Sequence, residues 1–111
     1  MYEKFGQFIN GEWKKSSKGE TYEVVNPANE EIIGSASKAS SEDIQLALKS
    51  AENGLEIWKN TTPWERSKII RKISELLRKK TDVLAKWLTL EVGKPLAEAA
   101  GEIGGAADIF E

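Results

Sequence analysis

Apolar and polar positions change period near residue 40 of this 111-residue chain. Before that point the apolar residues fall in short runs. Phe8-Ile9-Asn10-Gly11-Glu12-Trp13 places an Asn-Gly pair between apolar positions, a strong hairpin signal because both residues tolerate positive φ. Tyr22-Glu23-Val24-Val25 reads as a second strand that stops at Asn26-Pro27, since proline lacks the ladder donor and restricts its predecessor. Ala28-Asn29-Glu30 then forms a turn, and Glu31–Ala36 restarts a strand.

From Ser40 the period is helical. Ser40 or Ser41 can cap the first helix, and Glu42 and Asp43 suit its positive end. Ile44, Ala47, Leu48, Ala51, Leu55 and Trp58 recur at i+3/i+4 and predict one apolar face. Thr62 is the expected N-cap of a second helix, with Pro63 at its first position. Its buried face is expected at Ile70, Ile73 and Leu77, with Trp64, Ile69 and Leu76 beside it. Thr81-Asp82 is read as the cap of a third helix carrying Leu84, Trp87, Leu88 and Glu91. Gly93 then fits the C′ position and Lys94 the carbonyl end. Pro95 starts a fourth helix, with Leu96, Ala99, Ile103, Ala106 and Phe110 on one face. That pattern is still running at Ile109-Phe110-Glu111, so the expectation is a chain cut within a longer one. The expected division is a β-hairpin and strand region over 1–39 and a helical region over 40–111.

Charge and composition narrow the function classes. Sixteen basic and 18 acidic residues give a net charge of -2, and 40% of residues are hydrophobic. The basic residues are interleaved with acidic ones, which argues against a nucleic-acid surface. No apolar run approaches membrane-spanning length, and Met1–Phe5 lacks the features of a secretion signal, so a cytoplasmic protein with no membrane partner is expected. The chain has no Cys and no His. That removes disulfides, thiolate metal sites and the commonest nucleophile–base pairs. Ser16, Ser17, Ser40 and Ser41 sit in polar loops and caps, and none is a candidate nucleophile.

Three further features invite a chemical reading and have simpler ones. Glu98 and Glu102 at i, i+4 could hold a hard cation, but a solvated first two turns of helix explains them. Gly101, Gly104 and Gly105 each cost a helix about 1 kcal/mol relative to Ala, which suggests close packing or room for a ligand. Their spacing is wrong for a phosphate-cradling loop. Trp58, Trp64 and Trp87 fall on or near buried helical faces and read as core, whereas Trp13 follows the hairpin turn.

Four collinear segments carry a family likeness: Phe8–Trp13, Val25-Asn26-Pro27-Ala28, the Trp58…Trp64-Glu65-Arg66 junction, and Leu88–Pro95. Their order and spacing resemble the N-terminus of the NAD(P)-dependent aldehyde dehydrogenase superfamily. Glu91–Ala99 further resembles bacterial succinate-semialdehyde and related semialdehyde dehydrogenases. The resemblance implies an α/β parent fold with a modified Rossmann cofactor domain, a catalytic domain and an arm bridging subunits, as a homodimer or homotetramer. It implies oxidation of a small-molecule aldehyde, by way of a cysteine thiohemiacetal, with hydride passing to NAD or NADP. No catalytic or cofactor-binding residue of that family can be assigned to a position here; those are expected beyond residue 111, in the rest of the enzyme chain. The resemblance does place Val24, Val25 and Glu91 in regions that supply oxygen ligands to a structural monovalent cation in some members. It also sets Gly104, Gly105 and Asp108 beside the aldehyde entrance. Two other readings stay open at this point: a stand-alone α+β binding or assembly module, and an unrelated helical scaffold with a hairpin.

Overall fold

The structure, a computed structural model, describes residues 6–111. Met1–Phe5, read above for a secretion signal, lies outside the described residues. Four strands precede four helices: β1 (Gln7–Ile9), β2 (Glu12–Lys14), β3 (Thr21–Val25), β4 (Ile32–Ser37), α1 (Ser41–Lys59), α2 (Pro63–Lys79), α3 (Thr81–Val92) and α4 (Leu96–Ile109). This is the strands-then-four-helices order that the periodicity predicts.

The chain divides into two compact units. One comprises residues up to Val25 together with Glu31–Asn60; the other comprises Asn26–Glu30 with Thr61–Glu111. The first therefore contains α1 along with all four strands.

In the first unit, β1 and β2 pair antiparallel with Phe8 opposite Trp13. Asn10 and Gly11 both take positive φ, 54° and 79°, as a type I′-like two-residue turn requires. The Phe8 and Trp13 rings meet across the strands, centroids 5.1 Å apart, on the exposed face of the ribbon. Ile9 points the other way and is buried. β3 and β4 form a separate antiparallel pair with an irregularity between Val24 and Val25. α1 starts with a capping box: the Ser40 hydroxyl accepts from the Asp43 amide, and the Asp43 carboxylate accepts from the Ser40 amide.

The second unit is a packed set of three helices and a short loop. Thr62 and Glu65 form the reciprocal cap of α2, with Pro63 at the first position, as expected. The cap bonds also keep the Glu65 carboxylate acidic, through the Thr62 hydroxyl first and its amide second. α3 begins differently from the expectation. No side chain caps it. The Thr81 hydroxyl instead donates backwards to the carbonyls of Leu77 and Arg78, closing the end of α2. A Thr at a junction of two helices can serve either end, and here the orphan carbonyls of the longer helix take it. Gly93 ends α3 in the left-handed region at φ 75°, as its place in the pattern indicates.

What α4 packs against is set by small residues. Ala99 and Ala107 on α4 and Ala85 on α3 are completely or almost completely buried, and Ser74 on α2 is 4% exposed. α4 lies against both α2 and α3. Alanine and serine let helix axes approach closely, so the seams are tight although no large side chain among the described residues is fully buried.

Two expected apolar faces turn out differently. On α2 the covered side is Ile70, Ser74 and Leu77, while Ile69, Ile73 and Leu76 are exposed and Trp64 is 81% exposed. Trp64 is thus not core; Trp58 and Trp87 are half-buried. On α1, Ile44, Leu48 and Leu55 are all exposed. The periodicity located these faces correctly as apolar, but which part of an apolar arc is covered depends on the neighbouring element, which the period does not encode.

Candidate functional site

The residues with the clearest chemistry lie along α2 and the last turns of α4. Arg78 is in the last turn of α2. Its Nη2 donates to Asp108 Oδ1 at 2.5 Å and to Glu111 Oε2 at 3.0 Å. These two carboxylates hold the guanidinium still more firmly protonated, Asp108 contributing most. Beside this fork is a recess of about 270 Å³ lined by Arg71, Ser74, Glu75, Arg78 and Glu111. Arg71, Ser74 and Arg78 recur at i, i+3 and i+7, so one face of α2 presents all three.

The three entrance candidates share α4. Gly104 and Asp108 are about one turn apart, and Asp108 points between the directions of Gly104 and Gly105. Asp108 is not a free carboxylate, because Arg78 holds it. A Cβ built on Gly101, Gly104 or Gly105 would meet nothing within 4 Å. Close packing inside this chain therefore does not require these glycines. The i, i+4 acidic pair is also accounted for: Lys94 Nζ bonds the Glu102 carboxylate from the α3–α4 connection, and Glu98 is exposed.

The cation candidates lie on β3 and α3. Val24 and Val25 stand at the β3 irregularity, Val24 half-buried and Val25 exposed. Glu91 is on the last turn of α3 and exposed. Val24 and Val25 belong to the first compact unit and Glu91 to the second.

One polar centre escaped the sequence reading. Asp43, expected only to favour the helix dipole, is buried and accepts from four groups. Gln7 Nε2 donates at 3.2 Å, Ser16 Oγ at 3.3 Å, the Ser17 amide at 3.2 Å and the Ser40 amide at 2.9 Å. The Ser17 and Ser40 hydroxyls are 2.7 Å apart beside it. This convergence holds the Asp43 carboxyl well below the usual carboxylate range, with the Ser40 amide as the largest cause. Its partners come from β1, the loop after β2 and the start of α1, which makes it a docking point for the hairpin rather than an acid or base. The only local signal was an Asp three residues after a Ser cap.

A dinucleotide does not fit the described residues. The strands form two separate antiparallel pairs, so there is no parallel sheet with a switch point and no glycine-rich strand-to-helix turn. The recess on α2 lies below the roughly 300 Å³ at which pockets for drug-sized ligands begin. No step of a nicotinamide reaction can be derived from these residues.

Comparison with known proteins gives the context for this geometry. Residues 13–111 match the model of the "Aldehyde dehydrogenase family". The chain is 42% identical over 104 residues to glutarate-semialdehyde dehydrogenase of Pseudomonas putida, covering 94% of this chain and 22% of that one. It is 43% identical over 103 residues to the NADP(+) succinate-semialdehyde dehydrogenase of Escherichia coli K12, covering 93% and 21%. Among solved structures, an NAD-dependent aldehyde dehydrogenase from Sinorhizobium meliloti superimposes with a TM-score of 0.92 at 31% identity, over 96% of this chain and 22% of that one. A point mutant of betaine aldehyde dehydrogenase from Staphylococcus aureus, in complex with NAD+, gives a TM-score of 0.92 at 29% identity, over 98% and 23%. The chain spans about a fifth of the length of the curated relatives it matches.

Proposed function

Because this chain belongs to the aldehyde dehydrogenase family, we propose that it is the N-terminal portion of an oxidoreductase that oxidises an aldehyde to a carboxylic acid with NAD or NADP. The observation that carries this reading is the family match over residues 13–111, together with 42% and 43% identity to proteins about five times longer. A semialdehyde is the favoured substrate, supported by 42% and 43% identity to two semialdehyde dehydrogenases.

The chain has no Cys. The thiolate that would form the thiohemiacetal, the oxyanion donors and the group activating water are therefore assigned to the remaining part of the enzyme. Cofactor binding is assigned there too, since the described strands build no cradle for it. The 111 residues alone should not turn over substrate.

Their proposed contribution is positional. α4 would border the aldehyde entrance, with Gly104 and Gly105 leaving it wide and Asp108 held at its rim by Arg78. Backbone oxygens at Val24 and Val25 and the Glu91 carboxylate would serve a structural monovalent cation. The complete enzyme is proposed to be a cytoplasmic homodimer or homotetramer. None of the described helices is long and apolar enough to cross a membrane.

The test is an assay of aldehyde-dependent NADH and NADPH formation by the complete polypeptide, using succinate and glutarate semialdehydes. Turnover by the complete polypeptide and none by the 111-residue chain is the expected result. A complete polypeptide silent toward every aldehyde would overturn the reading. Gly105→Trp in that polypeptide should raise KM for bulky aldehydes more than for small ones; an unchanged KM for all of them removes α4 from the entrance.

A further inference from the structure

The recess on α2 holds more hydrogen-bond donors than its own carboxylates use. Arg78 meets Asp108 and Glu111 through a single nitrogen, Nη2. A guanidinium carries five N–H donors, so its Nη1 and Nε sides are not consumed by that fork. Arg71, two turns earlier on the same face, makes no ion pair among the described residues. Ser74 lies between them, 4% exposed yet lining the recess. Glu75, the other acid in the lining, is 2.7 Å from Lys72 Nζ and so is locally neutralised.

We propose that this recess is a binding site for a small carboxylate anion, held by Arg71 and Arg78 with the Ser74 hydroxyl between them. Glu111 shows the chemistry: its carboxylate lies at the recess against Arg78, where an external carboxylate would take its place. The volume of about 270 Å³ has room for a small carboxylic acid and is too small to enclose a dinucleotide. Two guanidiniums with planar donor forks select carboxylate over a spherical anion. Arg71 is the one lining cation without an ion pair among the described residues, and an incoming carboxylate competes with Glu111 for Arg78, so the attraction is modest. That makes the site weak, in the millimolar range. The inference does not depend on the dehydrogenase reading, since every group is in this chain.

The experiment is a titration of the complete polypeptide that carries this sequence with sodium glutarate, followed by amide chemical shifts in NMR, with sodium chloride at matched ionic strength as reference. Saturable shifts at Arg71–Arg78 and Asp108–Glu111 that Arg71→Gln removes are expected. Arg71→Gln should weaken binding about tenfold or more with helix content unchanged by circular dichroism. Glu111→Gln should tighten it by freeing Arg78. Glutaramide, the neutral diamide, should not bind. Absence of saturation, equal affinity in Arg71→Gln, or equal binding of the diamide would each overturn the proposal.

Discussion

The hairpin-containing unit is organised around one carboxylate, the helical unit around a row of alanines. In the first, Asp43 gathers donors from residues 36, 27 and 26 positions away, and little apolar surface is covered beyond Ile9. In the second, Ala85, Ala99 and Ala107 let three helices approach closely, and Arg78 ties α2 to the end of α4. Directional polar bonds fix an orientation but fail together when their shared acceptor changes. Close helix contact is non-directional and fails when volume is added. Both units leave large apolar side chains outside, as a segment spanning about a fifth of its relatives' length would.

The sharpest way to break the first arrangement is Asp43→Ala. Four donors lose one acceptor, and the expected outcome is release of the hairpin: amide exchange over Gln7–Lys14 rises toward that of an unfolded chain while α2–α4 stay protected. Protection of Gln7–Lys14 at the wild-type level would contradict the docking role. Acid should mimic the substitution. The Asp43 pKa is depressed in the folded chain, so its contribution is fully present above the ordinary aspartate value of 3.8 and is lost as pH falls from there toward the folded value. Hairpin protection should therefore decline below about pH 4 in the wild type and show no such decline in Asp43→Asn.

In the helical unit, Ala99→Leu should have the largest effect. It adds three carbons at a position with no exposure and should cost about 1–3 kcal/mol in urea unfolding followed by Trp fluorescence. A variant as stable as the wild type would mean that the α4 seam is looser than its burial indicates. Next comes Gly93→Ala, at about 1–2 kcal/mol by the same measurement. The residue sits at φ 75°, and a Cβ would come 3.0 Å from Pro27 Cγ. The smallest change is Lys49→Ala, which removes an exposed i, i+3 pair with Glu52 and should move stability by less than about 0.5 kcal/mol. A larger loss would show that the surface of α1 is held by more than its backbone.

Most element boundaries were legible because they rest on local chemistry. Asn10-Gly11 fixes a turn, Ser40 and Thr62-Pro63 fix helix starts, and Gly93 fixes a stop, each through atoms within four residues. The family likeness was legible for a similar reason, since it is carried by short segments in order. What was not legible depends on distant partners. The Asp43 centre, the Arg78–Asp108 fork and the covering of Ser74 rather than Ile73 between Ile70 and Leu77 on α2 are all decided by elements far away in sequence. Thr81 was misplaced because a hydroxyl between two helices can bond either way, and only the finished junction shows which carbonyls are left open. The candidate site was named on α4 from resemblance; its counterpart on α2, Arg71 with Arg78, had no signal beyond two arginines seven residues apart.

The central claim is that these residues are the front of a longer dehydrogenase. The most direct measurement is the intact mass of the native polypeptide that carries this sequence. A mass about five times the 12.3 kDa of this chain is the result predicted from its share of its relatives' length. A native mass of 12.3 kDa would contradict the claim, because a polypeptide of that size has no cysteine with which to act on an aldehyde.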